Sequence, residues 1–397
     1  MTHGLPKKQN LSNLKKYYLC KMQKEKIVNI AIVGAGASGL FLVKNLSSCK
    51  QFNIVVFEKN NKVGTKIKAS GGGKANIFNT NLYPTAYNNP IFVQNLLQQV
   101  SVETIKQSFE QMGLRLAVDN ENRVYPATFS SQSVVDVLLS QLPNHVKIIT
   151  NYEVKQITKN GKTFQINDYN LNFDCLVLAS GSPAGMNPTK RTDYNAYLNN
   201  LHFKQQPIAP SLVGFKLQAF PKIISGCRVK TNLSLYQNNN LIFKEFGEVT
   251  FKDDGVSGIV VLNASAWYNR LKNKDNCFLS FDFVCDDNYD LQKHWQQHHD
   301  FCGILSPKLN QLYQQKPFNI RCLQFKILDV YDWEFAQVSS GGIILDTIDE
   351  HFQAKKIPNM YIIGEMLNID AVCGGYNLFF AFASAYITAQ HIIKSWK

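Results

Sequence analysis

Residues 28–46 read "VNIAIVGAGASGLFLVKNL", and the order of residue types in them decides the fold. With Ile27, the opening "IVNIAIV" is a short, β-branched and almost unbroken apolar run. Such a run is expected of a parallel strand covered on both faces. Gly34, Gly36 and Gly39 then make GxGxxG. Gly34 permits the tight turn, Gly36 lets the backbone approach a pyrophosphate, and Gly39 lets the next helix pack closely on the strand. The first turn of that helix, which holds Ala37 and Ser38, points unpaired N–H groups at the phosphates. A second strand, "NIVVFE", ends in Glu58, about 20 residues after the last glycine. That is the position of a carboxylate that accepts hydrogen bonds from an adenosine ribose. A glutamate there disfavours a 2′-phosphate, so the expected ligand is FAD or NAD rather than NADP, with Lys59 beside it. A lone GxGxxG is a weak sign; strand, glycines, helix, strand and acid in this order are a strong one.

The motif does not itself separate FAD from NAD. "NKVGTKIKASGGGKANIFNT", residues 61–80, follows Glu58 almost immediately. Gly71, Gly72 and Gly73 let the backbone pass close to a flat or anionic group. Lys66 and Lys74 are candidates to meet phosphate, and Asn76 and Asn79 offer amides to a ring edge. "FDCLVLASGS" is a buried strand ending at Ala179-Ser180-Gly181. Residues 358–390, "PNMYIIGEMLNIDAVCGGYNLFFAFASAYITAQ", give a strand, Gly364-Glu365, a glycine pair and a long apolar helix. A strand closing on a Gly-acid pair suits a ribitol hydroxyl. A helix starting at Gly374-Gly375-Tyr376-Asn377 aims its positive end at a flavin pyrimidine edge, where negative charge develops on reduction.

From about Ile27 to the C-terminus the chain resembles the YhiN/BaiN-like (BaiN/RdsA) family of FAD-dependent flavoproteins. The most specific segments are "SGGGKANIFN", "NRVYP", "GEVTFKDDGVSG", "VSSGGIILD" and "GEMLNIDAVCGGYNLFFAFASA". Lys74-Ala75 replace the family's usual Arg-Cys, and Ser180-Gly181-Ser182 replaces its usual strand end. The resemblance implies an α/β fold: a Rossmann-like, glutathione-reductase-like FAD-binding domain interrupted by an inserted β-barrel plus helical domain. It implies that Gly34, Gly36, Gly39 and Glu58 hold the ADP half of FAD. Gly71 to Asn76, Gly72 and Gly73 among them, approach the flavin and pyrophosphate. Glu365 stands at the ribitol and Gly374, Gly375, Tyr376 and Asn377 at the ring. Lys59, Lys66, Val154, Ala179, Ser180, Gly181 and Gly364 complete the expected cofactor-binding set. No second GxGxxG exists, so NAD(P)H, as reductant, is expected to dock transiently over the flavin.

The expected organisation is a basic tail over 1–26, a first FAD-binding part over 27–188, an inserted β and helical substrate domain over 189–333, and a second FAD-binding part over 334–397. Met22 is an alternative start, because the apolar pattern begins only at Ile27. "EVKQITKNGKTFQIND" reads as a hairpin, "SLVGFKLQAF", "CRVKTNLSLY" and "LIFKEFGEVTF" as strands. "YDLQKHWQQHHDFCGILSPKLNQLYQQ" reads as helices broken at Pro307.

The 397 residues are 45% apolar and 18% charged, which suits a large core and excludes a disordered chain. A net charge of +13 favours an acidic partner such as nucleic acid or a phosphorylated ligand. Nine cysteines without a CxxC fit reduced thiols in a cytoplasm, with neither a disulfide framework nor a zinc cluster. No apolar run is long enough to span a bilayer; "FFAFASAYITAQHII" carries Ser384, Gln390 and His391 and reads as a buried core helix. His294 and His298, at i and i+4 with His299 beside them, have metal-ligand spacing but no acidic partner at the usual offsets. They are read as a polar surface helix, and no metal is expected. "TKR" at 189–191, "CRVK" near 228 and "RLKNK" at 270–274 put positive charge on the insertion.

Cys373 precedes the glycine pair and is a candidate proton donor opposite a hydride; Tyr376 competes with it, and simple packing of the thiol is the alternative. The family resemblance points to two-electron reduction of a conjugated double bond, either of uridine in ribosomal RNA or of a steroid-like enone. Three functions stay open: an RNA-modifying flavoenzyme, a small-molecule reductase or oxidase, and a non-catalytic flavin-binding protein.

Overall fold

The computed structural model describes residues 27–186 and 196–396. The basic tail, the boundary at 188/189 and the "TKR" cluster lie outside the described residues.

The apolar runs form a five-stranded parallel sheet. Its strands are β1 (Val28–Val33), β2 (Phe52–Phe57), β6 (Val146–Ile149), β9 (Cys175–Leu178) and β18 (Met360–Ile362), ordered β18-β9-β1-β2-β6 across the sheet. Ile30 of β1 faces Ile54 on one side and Cys175 on the other. All of β9, and all but one residue each of β1 and β2, are buried. Cover on both faces is why these strands read as unbroken apolar runs instead of alternating ones. β18 pairs with β9, so the sheet is completed by the end of the chain.

α1 (Ala37–Leu46) follows β1. α2 (Thr65–Ala69), α3 (Pro90–Gln99), α4 (Val102–Gln111) and α5 (Ser131–Leu139) lie between β2 and β6. The last helix, α9 (Tyr376–Ser395), packs along α1. Phe41 of α1, Phe109 of α4 and Phe382 of α9 form a buried triad with ring centroids 4.9–5.1 Å apart. Burying each ring is worth roughly 1.5–3 kcal/mol. Inside the same core, Ser384 and Thr388 donate to the carbonyls of Ala381 and His351. α9 is therefore a buried core helix, as its sequence suggested. Among the described residues no helix is long and apolar enough to cross a membrane.

A small sheet ordered β3-β5-β4 joins β3 (Phe78–Asn79), β4 (Leu116–Val118) and β5 (Arg123–Pro126). β7 (Ile157–Asn160) and β8 (Thr163–Ile166) form the expected hairpin. The middle of the chain closes an antiparallel barrel. Its strands are β11 (Phe215–Leu217), β12 (Arg228–Gln237), β13 (Asn240–Phe251), β14 (Gly255–Ser257), β15 (Cys277–Asp282) and β16 (Leu323–Val330). Leu233, Leu235, Val249, Phe251, Leu279 and Phe281 fill its interior, joined by Val260, Val261 and Ala264 of α6 (Ile259–Arg270). α7 (Leu291–His298) and α8 (Pro307–Gln315) are separate helices. Pro307 opens α8, where its missing N–H costs no intrahelical bond, instead of breaking a longer helix. α7 has no buried residue, and His294 is engaged by the Tyr289 hydroxyl at 2.9 Å and the Asp300 carbonyl at 3.0 Å. A two-stranded ribbon of β10 (Gln205–Ser211) and β17 (Val338–Ile343) links barrel and sheet.

Candidate functional site

The three glycines of the opening motif have three different local duties. Gly34 takes φ +108°, and a Cβ there would stand 2.4 Å from the Ala179 carbonyl oxygen. A Cβ on Gly39 would stand 2.0 Å from the Gly34 carbonyl oxygen. A Cβ on Gly36 would meet no protein atom within 4 Å. Gly34 and Gly39 thus pack the turn against β9 and α1, while Gly36 leaves its outer side free to approach. α1 begins at Gly36 with no side-chain cap and no acid in its first turn, so its N–H groups face that side. Glu58 is buried and fixed: Oε2 accepts the Ala35 N–H at 2.9 Å, and Oε1 accepts both the N–H (2.9 Å) and Nδ2 (2.7 Å) of Asn60. A carboxylate offers about four acceptor positions, so one remains for a hydroxyl. Val154 is buried close by, on the segment whose Tyr152 N–H donates to the Glu58 carbonyl at 2.9 Å. Lys59 reaches the Met186 sulfur at 3.8 Å.

The end of the chain meets this turn directly. A Cβ on Gly364 (φ +67°) would lie 2.6 Å from Ser38 Oγ. The Gly364 N–H donates to Ser384 Oγ at 3.1 Å. Glu365 Oε1 accepts the Ser339 N–H at 3.0 Å, and Oε2 pairs with Lys66 Nζ at 3.1 Å. Lys66 also donates to the carbonyl (2.7 Å) and hydroxyl (3.1 Å) oxygens of Ser182, so its charge orients Glu365 and the β9 turn. Ser180 shares a 2.7 Å hydrogen bond with Tyr197. A Cβ on Gly181 would stand 3.8 Å from Glu365 Oε2.

Gly71, Gly72 and Gly73 take φ of 56°, 64° and 86°, and a Cβ on Gly72 or Gly73 would meet nothing within 4 Å. The loop is tied to α9 through Asn76, which accepts the Gly375 N–H at 3.2 Å and donates to the Phe78 carbonyl at 3.1 Å. Gly375 has φ +96°, and a Cβ would collide with the Asn76 side-chain amide and the Phe78 backbone at 2.6 Å. Asn377 pairs with both the N–H and the carbonyl of Ala371 at 3.0 Å. Asn79 donates to the Glu121 carbonyl at 3.2 Å and accepts the Asn81 N–H at 2.8 Å. All three asparagines therefore brace the site from within, with amides engaged by protein. The α9 N-terminus, like that of α1, has neither a side-chain cap nor an acid in its first turn.

Cys373 stands where this loop meets the barrel. Its N–H donates to Asn263 Oδ1 at 2.7 Å, and Asn263 Nδ2 donates to Glu245 Oε2 at 2.9 Å. Its side chain packs beside Leu212, Leu262, Ala266 and Val338. Burial, with the charge of Glu245, pushes the thiol up to about 12, so it carries its proton at neutral pH. Burial also raises Glu245. Tyr376 lies against Tyr83 with centroids 5.4 Å apart, and its phenol is raised by burial and by the Tyr83 hydrogen bond. The Tyr87 hydroxyl donates to its carbonyl at 2.7 Å.

Sequence reasoning missed Asp370. It is 1% exposed, and neither carboxylate oxygen has a well-formed hydrogen bond. Burial raises it to about 6, against the opposing pull of Arg270. Arg270 belongs to the "RLKNK" run read as positive charge on the insertion. Instead it turns inward, its guanidinium 4.8 Å over Trp267 and its Nε without a partner. The Ser339 hydroxyl is buried and unpartnered as well, and the Ser211 hydroxyl faces Asp370 and lowers it slightly. A single acid between apolar neighbours in "MLNIDAV" was the available signal.

The sequence profile described as "HI0933-like protein Rossmann domain" matches residues 28–391. Two curated relatives align over nearly their whole lengths. The 3-dehydro-bile acid delta(4,6)-reductase of Clostridium scindens is 24% identical, covering 91% of this chain and 98% of its own. The ribosomal RNA dihydrouridine synthase of Escherichia coli is 25% identical, covering 92% and 98%. Among solved structures, the open conformation of a flavocytochrome c3 fumarate reductase aligns with 100% of this chain and 83% of its own, at 12% identity and a TM-score of 0.47. The chain belongs to the HI0933-like Rossmann family, the YhiN/BaiN family that its motifs resemble.

Proposed function

We propose that this member of the HI0933-like family is an FAD-dependent oxidoreductase. It takes electrons from NAD(P)H and reduces a conjugated carbon–carbon double bond, and its substrate is uridine in ribosomal RNA. The observation that carries this reading is the convergence of Gly36 and Glu58 from one end of the chain with Glu365 and the α9 N-terminus from the other. The residues fit a flavin dinucleotide: two uncapped helix starts without acids, a fixed carboxylate near each, and glycines whose outer sides no protein atom fills. The activities named for both relatives add hydrogen across a conjugated double bond, and the net charge of +13 favours the RNA substrate.

In this function the α1 N–H groups and Gly36 receive the pyrophosphate, and Glu58 accepts from the adenosine ribose. Glu365, oriented by Lys66 and the Ser339 N–H, accepts from a ribitol hydroxyl. The positive end of α9 favours negative charge at the pyrimidine edge. When bound, FAD supplies the hydride chemistry. Cys373, protonated at neutral pH, donates the proton that completes the reduction, with Tyr376 as the competing donor. The target uridine leaves its stack to reach the site.

Two measurements test this. The purified protein is expected to be yellow and to bleach anaerobically on addition of NADPH or NADH. Ribosomal RNA from a strain lacking the gene is expected to lose a dihydrouridine, read by mass spectrometry, that the restored gene returns. A preparation that stays colourless after reconstitution refutes the flavoenzyme. Unchanged dihydrouridine refutes the RNA substrate and leaves reduction of a steroid-like enone, the reading favoured by similarity to the C. scindens reductase.

A further inference from the structure

The "NRVYP" segment builds a surface that the proposed chemistry does not use. Arg123 and Tyr125 alternate along β5 with buried Val124 and Pro126, so they share one face of the β3-β5-β4 sheet. Tyr125 is paired with Ala117, and the Ala127 N–H donates to the Arg115 carbonyl at 2.8 Å, which sets exposed Arg115 on the same face. Phe129 extends this face, its ring 5.7 Å from that of Tyr125. Phe129 is 50% exposed and holds φ +50°, a backbone region that bulky side chains avoid. Leu212 and Phe352, the other bulky apolar residues in that region among those described, are buried. Phe129 thus combines a strained backbone with an exposed ring, and neither stabilises the fold. Backbone strain of this kind clusters at ligand clamps and active sites.

The face also adjoins the candidate site. Phe129 precedes α5, which packs on α2 and on the Ser70–Gly73 turn. Arg123 pairs in register with Asn79, next to the Phe78 backbone that Gly375 touches. The charge of Arg123 also acts on the Cys373 thiol, against the burial that raises it.

We infer that the face formed by Arg115, Arg123, Tyr125 and Phe129 is a stacking platform for unpaired bases of single-stranded RNA flanking the reacting uridine. It rests on the RNA substrate proposed above. Bases present a flat face whatever their identity, and exposed aromatics beside cations are what receive them. Arg123 is already matched by Asp119 at 2.8 Å and Glu121 at 2.9 Å, which hold its guanidinium in place. The grip at Phe129 and Tyr125 is therefore stacking, and Arg115 supplies the contact to phosphate.

The test is fluorescence anisotropy of the FAD-loaded protein with a labelled oligouridylate across a salt series, alongside steady-state reduction of a ribosomal RNA fragment. F129A is expected to weaken binding about tenfold or more, with the salt slope unchanged. R115Q is expected to weaken it while lowering that slope by about one. In F129A the KM for RNA rises, while kcat, flavin content and anaerobic reduction by NAD(P)H stay at wild-type values. F129W is expected to restore affinity, which a merely structural role would not predict. Wild-type affinity in F129A, with the parent protein binding and reducing RNA, overturns the platform alone. A parent protein that neither binds nor reduces RNA overturns the platform together with the RNA substrate.

Discussion

Gly36 and Gly39 stand three residues apart in one motif, and alanine at each should fail in a different way. In Gly39→Ala the new methyl lies 2.0 Å from the Gly34 carbonyl oxygen and 3.1 Å from its carbon, both backbone atoms that cannot swing aside. Overpacking of this kind costs about 1–3 kcal/mol or more. The better helix propensity of alanine returns at most about 1 kcal/mol. We expect a net loss of about 2 kcal/mol in the apoprotein, with FAD binding lost through the distorted turn. In Gly36→Ala the methyl meets no protein atom, and the native φ of −88° suits alanine. Losing glycine at the helix start costs up to about 1 kcal/mol, and the stiffer unfolded chain offsets roughly half or more of that. Apoprotein stability should therefore move by less than about 1 kcal/mol. The methyl does stand between the backbone and an approaching pyrophosphate. Displacing one charge-assisted hydrogen bond costs about 1.5–3 kcal/mol, or roughly 10- to 150-fold in FAD affinity. Urea melts of the apoproteins and quenching of flavin fluorescence on titration read the two effects separately. Wild-type FAD affinity in Gly36→Ala, or equal destabilisation by both substitutions, would refute the division of labour among these glycines.

If the thiol is the proton donor, Cys373→Ala slows substrate-dependent flavin reoxidation about 10²- to 10⁴-fold and leaves reduction by NAD(P)H untouched; stopped-flow traces check this, and a loss in Tyr376→Phe alone would reassign the role. Asp370 is raised by burial from 3.8 to about 6, so between those pH values the folded state holds a proton that the unfolded chain has released. Its contribution is complete below about pH 3.8 and is lost as pH rises through about 6, on the order of 3 kcal/mol. Asp370→Asn should flatten that part of the stability–pH curve, measured by urea midpoints between pH 4 and 7, and an unchanged slope rejects the assignment. Phe382→Ala opens the triad with Phe41 and Phe109 and should cost about 3–5 kcal/mol; a urea midpoint at the wild-type value would show that the triad does not hold α9.

What could be read from the sequence was what local geometry dictates. The GxGxxG turn, the strand ending before Glu58 and the Gly364-Glu365 pair each fix their meaning within a few residues, and the structure brings them together. What escaped depended on partners far along the chain. Lys66 was matched to a phosphate because its partner Glu365 lies 299 residues away. Asn76 and Asn79 read as amides offered to a ring edge, since nothing nearby announces that Gly375 and the Glu121 carbonyl engage them. Arg270, in a lysine-rich run, reads as charge on the insertion, whereas α6 carries it over Trp267 toward Asp370.

Those long-range contacts carry a consequence for how the site holds together. Lys66 with Glu365, Asn76 with Gly375, Ser38 with Gly364 and Tyr87 with Tyr376 all join the first quarter of the chain to the last tenth. None is strong alone: the Lys66–Glu365 pair is part-exposed, and such pairs contribute at most about 1 kcal/mol. Their geometry is instead fixed by apolar packing of α9 against α1, whose buried residues form one continuous core. Fold and site are therefore completed in the same step. A core substitution such as Phe382→Ala should loosen the hold on FAD although Phe382 is enclosed by Phe41 and Phe109. A weaker fold with unaltered FAD affinity would mean that the two ends are held by the polar contacts themselves.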